Sequence, residues 1–233
     1  QKLQAAGVTL ALCTGRSDYE VTPLREALNI DWAITCNGSL VARNGEPMFG
    51  RSFDPDLIRQ WRETAAKLEH GMLMYGASGM YMNRANDPLL KRAQEKISLI
   101  EPAVLRQDDP VPDIYQCIVF CREEEEAAYL GERRNDFYIH RWELWAVDFN
   151  PKGINKSVGL RWLAAHLGVH PSEVAVFGDG INDLEMFAFA GLRIAMGNAV
   201  ADLKRIASHV TKPLHEDGVA YAVDRWILPQ IIR

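Results

Sequence analysis

The sequence predicts an α/β fold: a parallel-sheet core supplied by two stretches of chain, with an α+β domain inserted between them. Three observations predict it. Short apolar runs such as Val8–Cys13 and Val174–Phe177 stop abruptly at polar, glycine-bearing turns and give way to helical periodicity. That is the pattern of strands buried on both faces by crossover helices. The alternation occupies residues 1–48, lapses over residues 49–148, and returns over residues 149–233.

Gln1 to Ala6 reads as the end of a helix, stopped by Gly7. Val8-Thr9-Leu10-Ala11-Leu12-Cys13 is a buried strand closed by Thr14-Gly15-Arg16, and Asp18 to Leu28 follows as a helix. Trp32-Ala33-Ile34-Thr35-Cys36 is a second strand, closed by Asn37-Gly38. Ser39 to Ala42 with the Asn44-Gly45 turn signals a hairpin.

From about Phe49 the texture changes. Asp54 to Leu68 has helical periodicity, and Met72–Tyr75 and Met80–Met82 flank a glycine-rich turn as a second hairpin. The alternating methionines read as one packed face of a sheet. Pro88 to Ile100 is a helix and Tyr115 to Cys121 a strand. Arg122 to Leu130 is a helix with glutamates in its first turn, where negative charge is favourable. Phe137–His140 and Trp142–Asp148 complete the inserted segment. Tyr75, Tyr81, Trp142 and Trp145 either face a ligand or pack. Beyond it, Lys156–Leu167, Asp183–Ala190 and Val200–Ala207 are helices that alternate with strands at Val174–Phe177, Leu192–Met196 and His209–Thr211.

Composition narrows the function. The 233 residues are 48% hydrophobic and 24% charged with net charge −5, which supplies no attraction for nucleic acid or an anionic membrane. No apolar run approaches the roughly 20 residues of a membrane span. Cys13, Cys36, Cys117 and Cys121 have no metal-site spacing and read as small buried residues in a reducing cytoplasm; the six histidines form no HxH or HExxH cluster.

The chemistry concentrates in Gly178-Asp179-Gly180-Ile181-Asn182-Asp183. Two carboxylates four residues apart stand where a parallel strand ends, the edge at which open α/β sheets bind ligands. Oxygen ligands on a tight turn suit a small hard cation such as Mg²⁺. Within Pro151-Lys152-Gly153-Ile154-Asn155-Lys156, Lys156 begins a helix. Asn182 could cap its helix, and Asn37-Gly38 could be a plain turn.

The order of Thr14-Gly15-Arg16, Asn37-Gly38, the Lys156 segment, the GDGxND turn, Ala195-Met196-Gly197-Asn198-Ala199 and His215-Glu216-Asp217-Gly218 resembles the haloacid dehalogenase-like (HAD) superfamily, specifically its Cof-type phosphatases with a large α/β cap. The resemblance covers essentially the whole chain and is sharpest from Pro151 to Val223. It implies a Rossmann-like HAD core at 1–48 and 149–233 and a cap at 49–148. It also implies a Mg²⁺-dependent phosphomonoester hydrolase acting on small phosphorylated metabolites such as sugar phosphates. In that reading Thr14 and Gly15 contact the phosphoryl oxygens, Lys156 rather than Lys152 supplies positive charge, and Asn37 and Asn182 contact substrate. Asp179 ligates the metal and Asp183 supports it, directly or through the surrounding shell.

One departure matters. The family attacks with an aspartate of a DxDGT motif on a strand ahead of all these features, and this sequence holds no such motif. The expectation is an N-terminally truncated form of a complete enzyme, inactive as it stands, with the core's first strand absent. A phosphomutase and a non-catalytic phosphometabolite-binding protein are the alternatives.

Overall fold

The structure, a computed structural model, describes residues 1–97 and 100–231. It divides into two compact units, one of Leu12–Asn155 and one of Gln1–Ala11 with Lys156–Arg233. Residues 12–48 and 149–155, expected with the core, thus share a compact unit with the inserted residues 49–148. Part of the reason is a buried polar network, described below, that ties residues 15 and 36–39 to the inserted sheet.

The chain opens with one helical turn, α1 (Lys2–Ala5). Strand β1 (Ala11–Cys13) is shorter than the apolar run predicted, because only these residues join the sheet ladder. Helix α2 (Asp18–Ala27) starts with a capping box: the Ser17 hydroxyl accepts from the Glu20 N–H while the Glu20 carboxylate accepts from the Ser17 N–H. β2 (Trp32–Thr35), β3 (Leu40–Arg43) and β4 (Glu46–Gly50) complete a four-stranded sheet in the order β1-β2-β3-β4. β3 pairs antiparallel with both neighbours. Asn44 and Gly45 turn the last hairpin with φ of 51° and 85°, the positive values a type I′ turn requires.

α3 (Pro55–Lys67) is capped by Asp54 with proline in its first turn, and buries Ile58, Trp61, Arg62 and Ala65 at helical spacing. β5 (Met72–Gly76) and β6 (Met80–Met82) form the expected hairpin. α4 (Pro88–Ile97) follows; its expected continuation to Ile100 crosses Ser98 and Leu99, which lie outside the described residues. β7 (Ala103–Val104), β8 (Ile114–Val119), a short α5 (Ala127–Leu130), β9 (Phe137–Glu143) and β10 (Ala146–Pro151) finish this unit. The six-stranded sheet runs β7-β6-β5-β8-β10-β9, antiparallel except between β6 and β7.

Both faces of that sheet are covered. One packs Met72, Met74, Cys117, Val119 and Phe149 against Trp61 and Tyr129; the other packs Leu73, Met80, Met82 and Ile118 against Leu90, Cys36 and Leu40. The methionines therefore do not form one packed face. Registry sets Leu73 opposite Met82 and Tyr75 opposite Met80, so Met72 and Met74 fall on the face opposite to Met80 and Met82. Tyr75, Tyr81, Trp142 and Trp145 all pack against these two clusters.

The other unit alternates strand and helix. α6 (Lys156–Leu167), β11 (Ala175–Gly178), α7 (Leu184–Phe189), β12 (Leu192–Ala195), α8 (Ala201–Ile206) and β13 (His209–Val210) build a parallel sheet in the order β11-β12-β13. α9 (Gly218–Ala222) and α10 (Leu228–Ile231) close the chain, and Ile194, Ala222 and Ile227 bury together. Among the described residues no helix is long and apolar enough to cross a membrane.

Candidate active site

Thr14, Gly15 and Asn37 lie in the Leu12–Asn155 unit, whereas Lys156, Asp179, Asn182 and Asp183 lie in the other. Thr14 directly follows β1. Its N–H donates to the Ile34 carbonyl, and its carbonyl accepts from the Asn37 N–H. The Thr14 hydroxyl accepts from the Arg16 N–H at 3.2 Å, which leaves its own proton for another acceptor. The Gly15 carbonyl accepts from the Gln116 amide at 3.1 Å, while its N–H has no partner among the described residues. Two donors, one hydroxyl and one amide, thus stand side by side at a strand end.

Asn37 stands in the turn after β2. It is fully buried with left-handed backbone (φ 53°), and its Nδ2 donates to Gln116 Oε1 at 3.0 Å and to Asp148 Oδ2 at 3.2 Å. Asn150 Nδ2 in turn reaches the Cys36 carbonyl at 2.9 Å and Ser39 Oγ at 3.1 Å. Its Nδ2 is engaged inside the unit, where a buried amide must find its partners, and its backbone N–H donates to the Thr14 carbonyl. Sequence reading missed Gln116, Asp148 and Asn150. The available signal was Gln116 inside otherwise apolar β8 and the alternation of Asp148 and Asn150 in β10.

Burial pushes the Asp148 carboxyl up to about 7, against the lowering effect of the Trp142 and Asn37 donors; Glu20 raises it further. A carboxyl whose folded value exceeds its unfolded one binds more protons when folded. Its stabilising contribution is present below the unfolded value and is lost as pH rises through about 7. Asp18, also raised by burial, acts in the same direction. The unfolding free energy of this unit, from denaturant titrations, should therefore fall between about pH 5 and pH 7, with a slope approaching about 1.4 kcal/mol per pH unit. A free energy that rises over that interval would contradict the buried, protonated carboxyl.

The second group of residues is assembled by β11 and the turn after it. Gly178 ends the strand, a 3-10 turn spans Ile181–Asp183, and α7 starts at Leu184 rather than at Asn182 or Asp183. The flanking glycines are dictated by close approach. A Cβ on Gly178 would stand 2.7 Å from Asp183 Oδ2, and one on Gly180 would stand 2.7 Å from Asn182 Oδ1. Asp183 folds back beneath the turn: its Oδ2 accepts from the N–H groups of Asp179 (2.9 Å) and Gly180 (3.0 Å). Its Oδ1 takes a hydrogen bond from Lys156 Nζ at 2.6 Å. Lys156 is 7% exposed and Asp183 2%, so this pair is buried.

Lys156 at the first position of α6 opposes the helix dipole, which disfavours a cation there by roughly 0.3–1 kcal/mol. A lysine kept at such a place needs an anion, and Asp183 is one. Lys152 is exposed and pairs with Asp136 at 3.2 Å instead. Asp179 is exposed on the turn. Its Oδ2 accepts from Asn198 Nδ2 at 3.2 Å, and its Oδ1 has no partner among the described residues.

The donor set can be tested against Mg²⁺. That ion takes one or two carboxylates and keeps several waters. Asp179, a carboxylate with an open oxygen, fits direct ligation; Asp183, with both oxygens engaged, fits holding the turn and Lys156. Among the described residues no cluster of three or more His, Cys, Asp or Glu side chains forms, so water or substrate oxygens would complete the shell.

The second unit thus combines a parallel α/β sheet with a carboxylate turn at a strand end and a buried lysine beside it. The chain belongs to the haloacid dehalogenase-like hydrolases, whose family profile matches residues 1–223. It is 33% identical over 225 residues to the phosphatase-designated protein YkrA of Bacillus subtilis (strain 168), covering 95% of this chain and 86% of YkrA. The crystal structure of a Geobacillus kaustophilus HTA426 protein superposes with a TM-score of 0.87 at 32% identity, over 99% of this chain and 88% of that one. The HAD subclass IIB sugar phosphatase BT4131 superposes with a TM-score of 0.79 at 25% identity, over 96% and 88%.

Proposed function

We propose that this protein is a Mg²⁺-dependent phosphomonoester hydrolase acting on small phosphorylated metabolites, sugar phosphates among them. The observation that carries the reading is Lys156, a buried cation at an unfavourable helix position, hydrogen-bonded to the carboxylate that also shapes the Asp179 turn. Phosphoryl transfer demands charge neutralisation and in-line positioning rather than elaborate covalent chemistry from the surrounding residues. Thr14 Oγ1 and the Gly15 N–H have hydrogens to give to phosphoryl oxygens. Lys156 adds a fixed positive charge, and Asp183 holds both that lysine and the turn. Asp179 would hold Mg²⁺, which when bound supplies further charge neutralisation. Asn182, on the same turn, is the candidate for a substrate contact, and Asn37 supports Thr14.

The attacking carboxylate would be the first aspartate of a DxDGT motif, giving an aspartyl-phosphate that water then hydrolyses. None of these 233 residues forms that motif. Residues 49–148 would act as the cap that selects the substrate. The four cysteines are free thiols, which suits a reducing cytoplasm.

The test is phosphate release from a panel of sugar phosphates, by the 233 residues alone and by a form bearing a DxDGT strand ahead of Gln1. Turnover is expected only in the second, and only with Mg²⁺. Robust turnover by the 233 residues alone would mean another nucleophile. Return of the phosphoryl group to a second position of a hexose phosphate would mean a mutase. In the active form Lys152→Met is expected to cost less than about tenfold, because an exposed ion pair contributes little. A larger loss would move the phosphate contact from Lys156 to Lys152.

A further inference from the structure

Asn198 stands between two loops. It follows β12, in the turn next to the one that carries Asp179, and its side chain uses both ends. Nδ2 donates to Asp179 Oδ2 at 3.2 Å, and Oδ1 accepts from the Leu214 N–H at 3.2 Å. The Leu214 loop is itself tightly set. The Thr211 hydroxyl donates to the Gly218 carbonyl at 2.6 Å, the Gly197 N–H donates to the Lys212 carbonyl at 3.1 Å, and a Cβ on Gly197 would meet Pro213 N at 2.5 Å. The Asn198 turn is held from its other side as well: Lys204 Nζ donates to the Gly197 carbonyl at 2.6 Å, and the Val200 N–H donates to the Asp179 carbonyl at 3.0 Å.

An amide clamped at its oxygen by a rigid loop has its NH₂ aimed in one direction. Here that direction is one oxygen of Asp179. The contact takes up Oδ2 and leaves Oδ1 open, with no other side chain of the described residues on either oxygen. Asp179 is exposed, and this hydrogen bond is the one side-chain contact made by its carboxylate among the described residues.

We infer that Asn198 is the positioning residue for Asp179, orienting its free oxygen toward a divalent cation and coupling that orientation to the Thr211–Gly218 loop. The inference rests on the metal role proposed for Asp179. Partners that orient a ligand in this way typically contribute about 10–100-fold to metal affinity.

The test is direct Mn²⁺ binding, read from the free-ion electron paramagnetic resonance signal, with melting temperature measured in metal-free buffer. It is run on the 233-residue chain and on the form bearing a DxDGT segment, for parent, Asn198→Ala and Asp179→Asn. Asn198→Ala is expected to weaken Mn²⁺ binding roughly tenfold or more while the protein stays folded. Asp179→Asn is expected to abolish it. A parent-like affinity in Asn198→Ala, with binding still lost in Asp179→Asn, overturns the positioning role and leaves the metal reading standing, whatever happens to the melting temperature. Absence of binding in both parent forms, or parent-like binding by Asp179→Asn, overturns the metal reading and the inference with it.

Discussion

Asp179→Ala, placed in a form that carries a DxDGT segment, is expected to reduce Mg²⁺-dependent phosphate release by about 10² or more while leaving the fold intact. The two halves of that expectation have separate causes. Asp179 is exposed, and its one side-chain partner is the exposed Asn198 amide, so removing it should change stability by no more than about 0.5 kcal/mol. Its carboxylate is nevertheless the one in the turn with an open oxygen, and an ion held by few protein charges loses much of its binding when one is deleted. Phosphate release against Mg²⁺ concentration, with circular dichroism as control, checks both. Near-parent turnover with Mg²⁺ as sole cation would remove Asp179 from the mechanism.

Lys156→Met is expected to act on rate and stability together. A buried electrostatic contact to the phosphoryl group is worth roughly 10² or more in rate. The same change strips Asp183 of its partner at 2.6 Å and leaves a buried carboxylate uncompensated, a situation that costs about 3–5 kcal/mol. The two effects separate in the double variant Lys156→Met with Asp183→Asn. The neutral amide can still accept from the Asp179 and Gly180 N–H groups, so stability should recover in part while the rate does not. Denaturant unfolding alongside turnover checks this. Recovery of the rate in the double variant would mean that Lys156 serves only to neutralise Asp183.

Much of the site is legible in the amino-acid sequence because its logic is local. Asp179 and Asp183 are four residues apart on one turn, and the glycines beside them are required by the closeness of Asp183 and Asn182, so local spacing accounts for the turn's shape. The same locality explains why the Asn44-Gly45 hairpin and the capped helix after Asp54 are predictable: a positive φ pair and an N-cap are properties of adjacent residues. Asn198 is visible within Ala195–Ala199, but no local signal gives it a role, because its partners, Asp179 and Leu214, are distant in the chain.

The sequence by itself determined the strand–turn–helix punctuation, the family, and the residue types gathered at the strand ends. Tertiary structure alone decided how those residues are buried and partnered. It buried Lys156 against Asp183 and left Lys152 at the surface, though both lie in one short motif. It turned Asn37 inward onto Gln116 and Asp148, split the methionines between two faces, and raised the Asp148 carboxyl to about 7. The physical reason is common to all of these. Turn geometry and periodicity are written in neighbouring residues, whereas burial, desolvation and the choice of a polar partner depend on which distant segments the fold brings within hydrogen-bonding range.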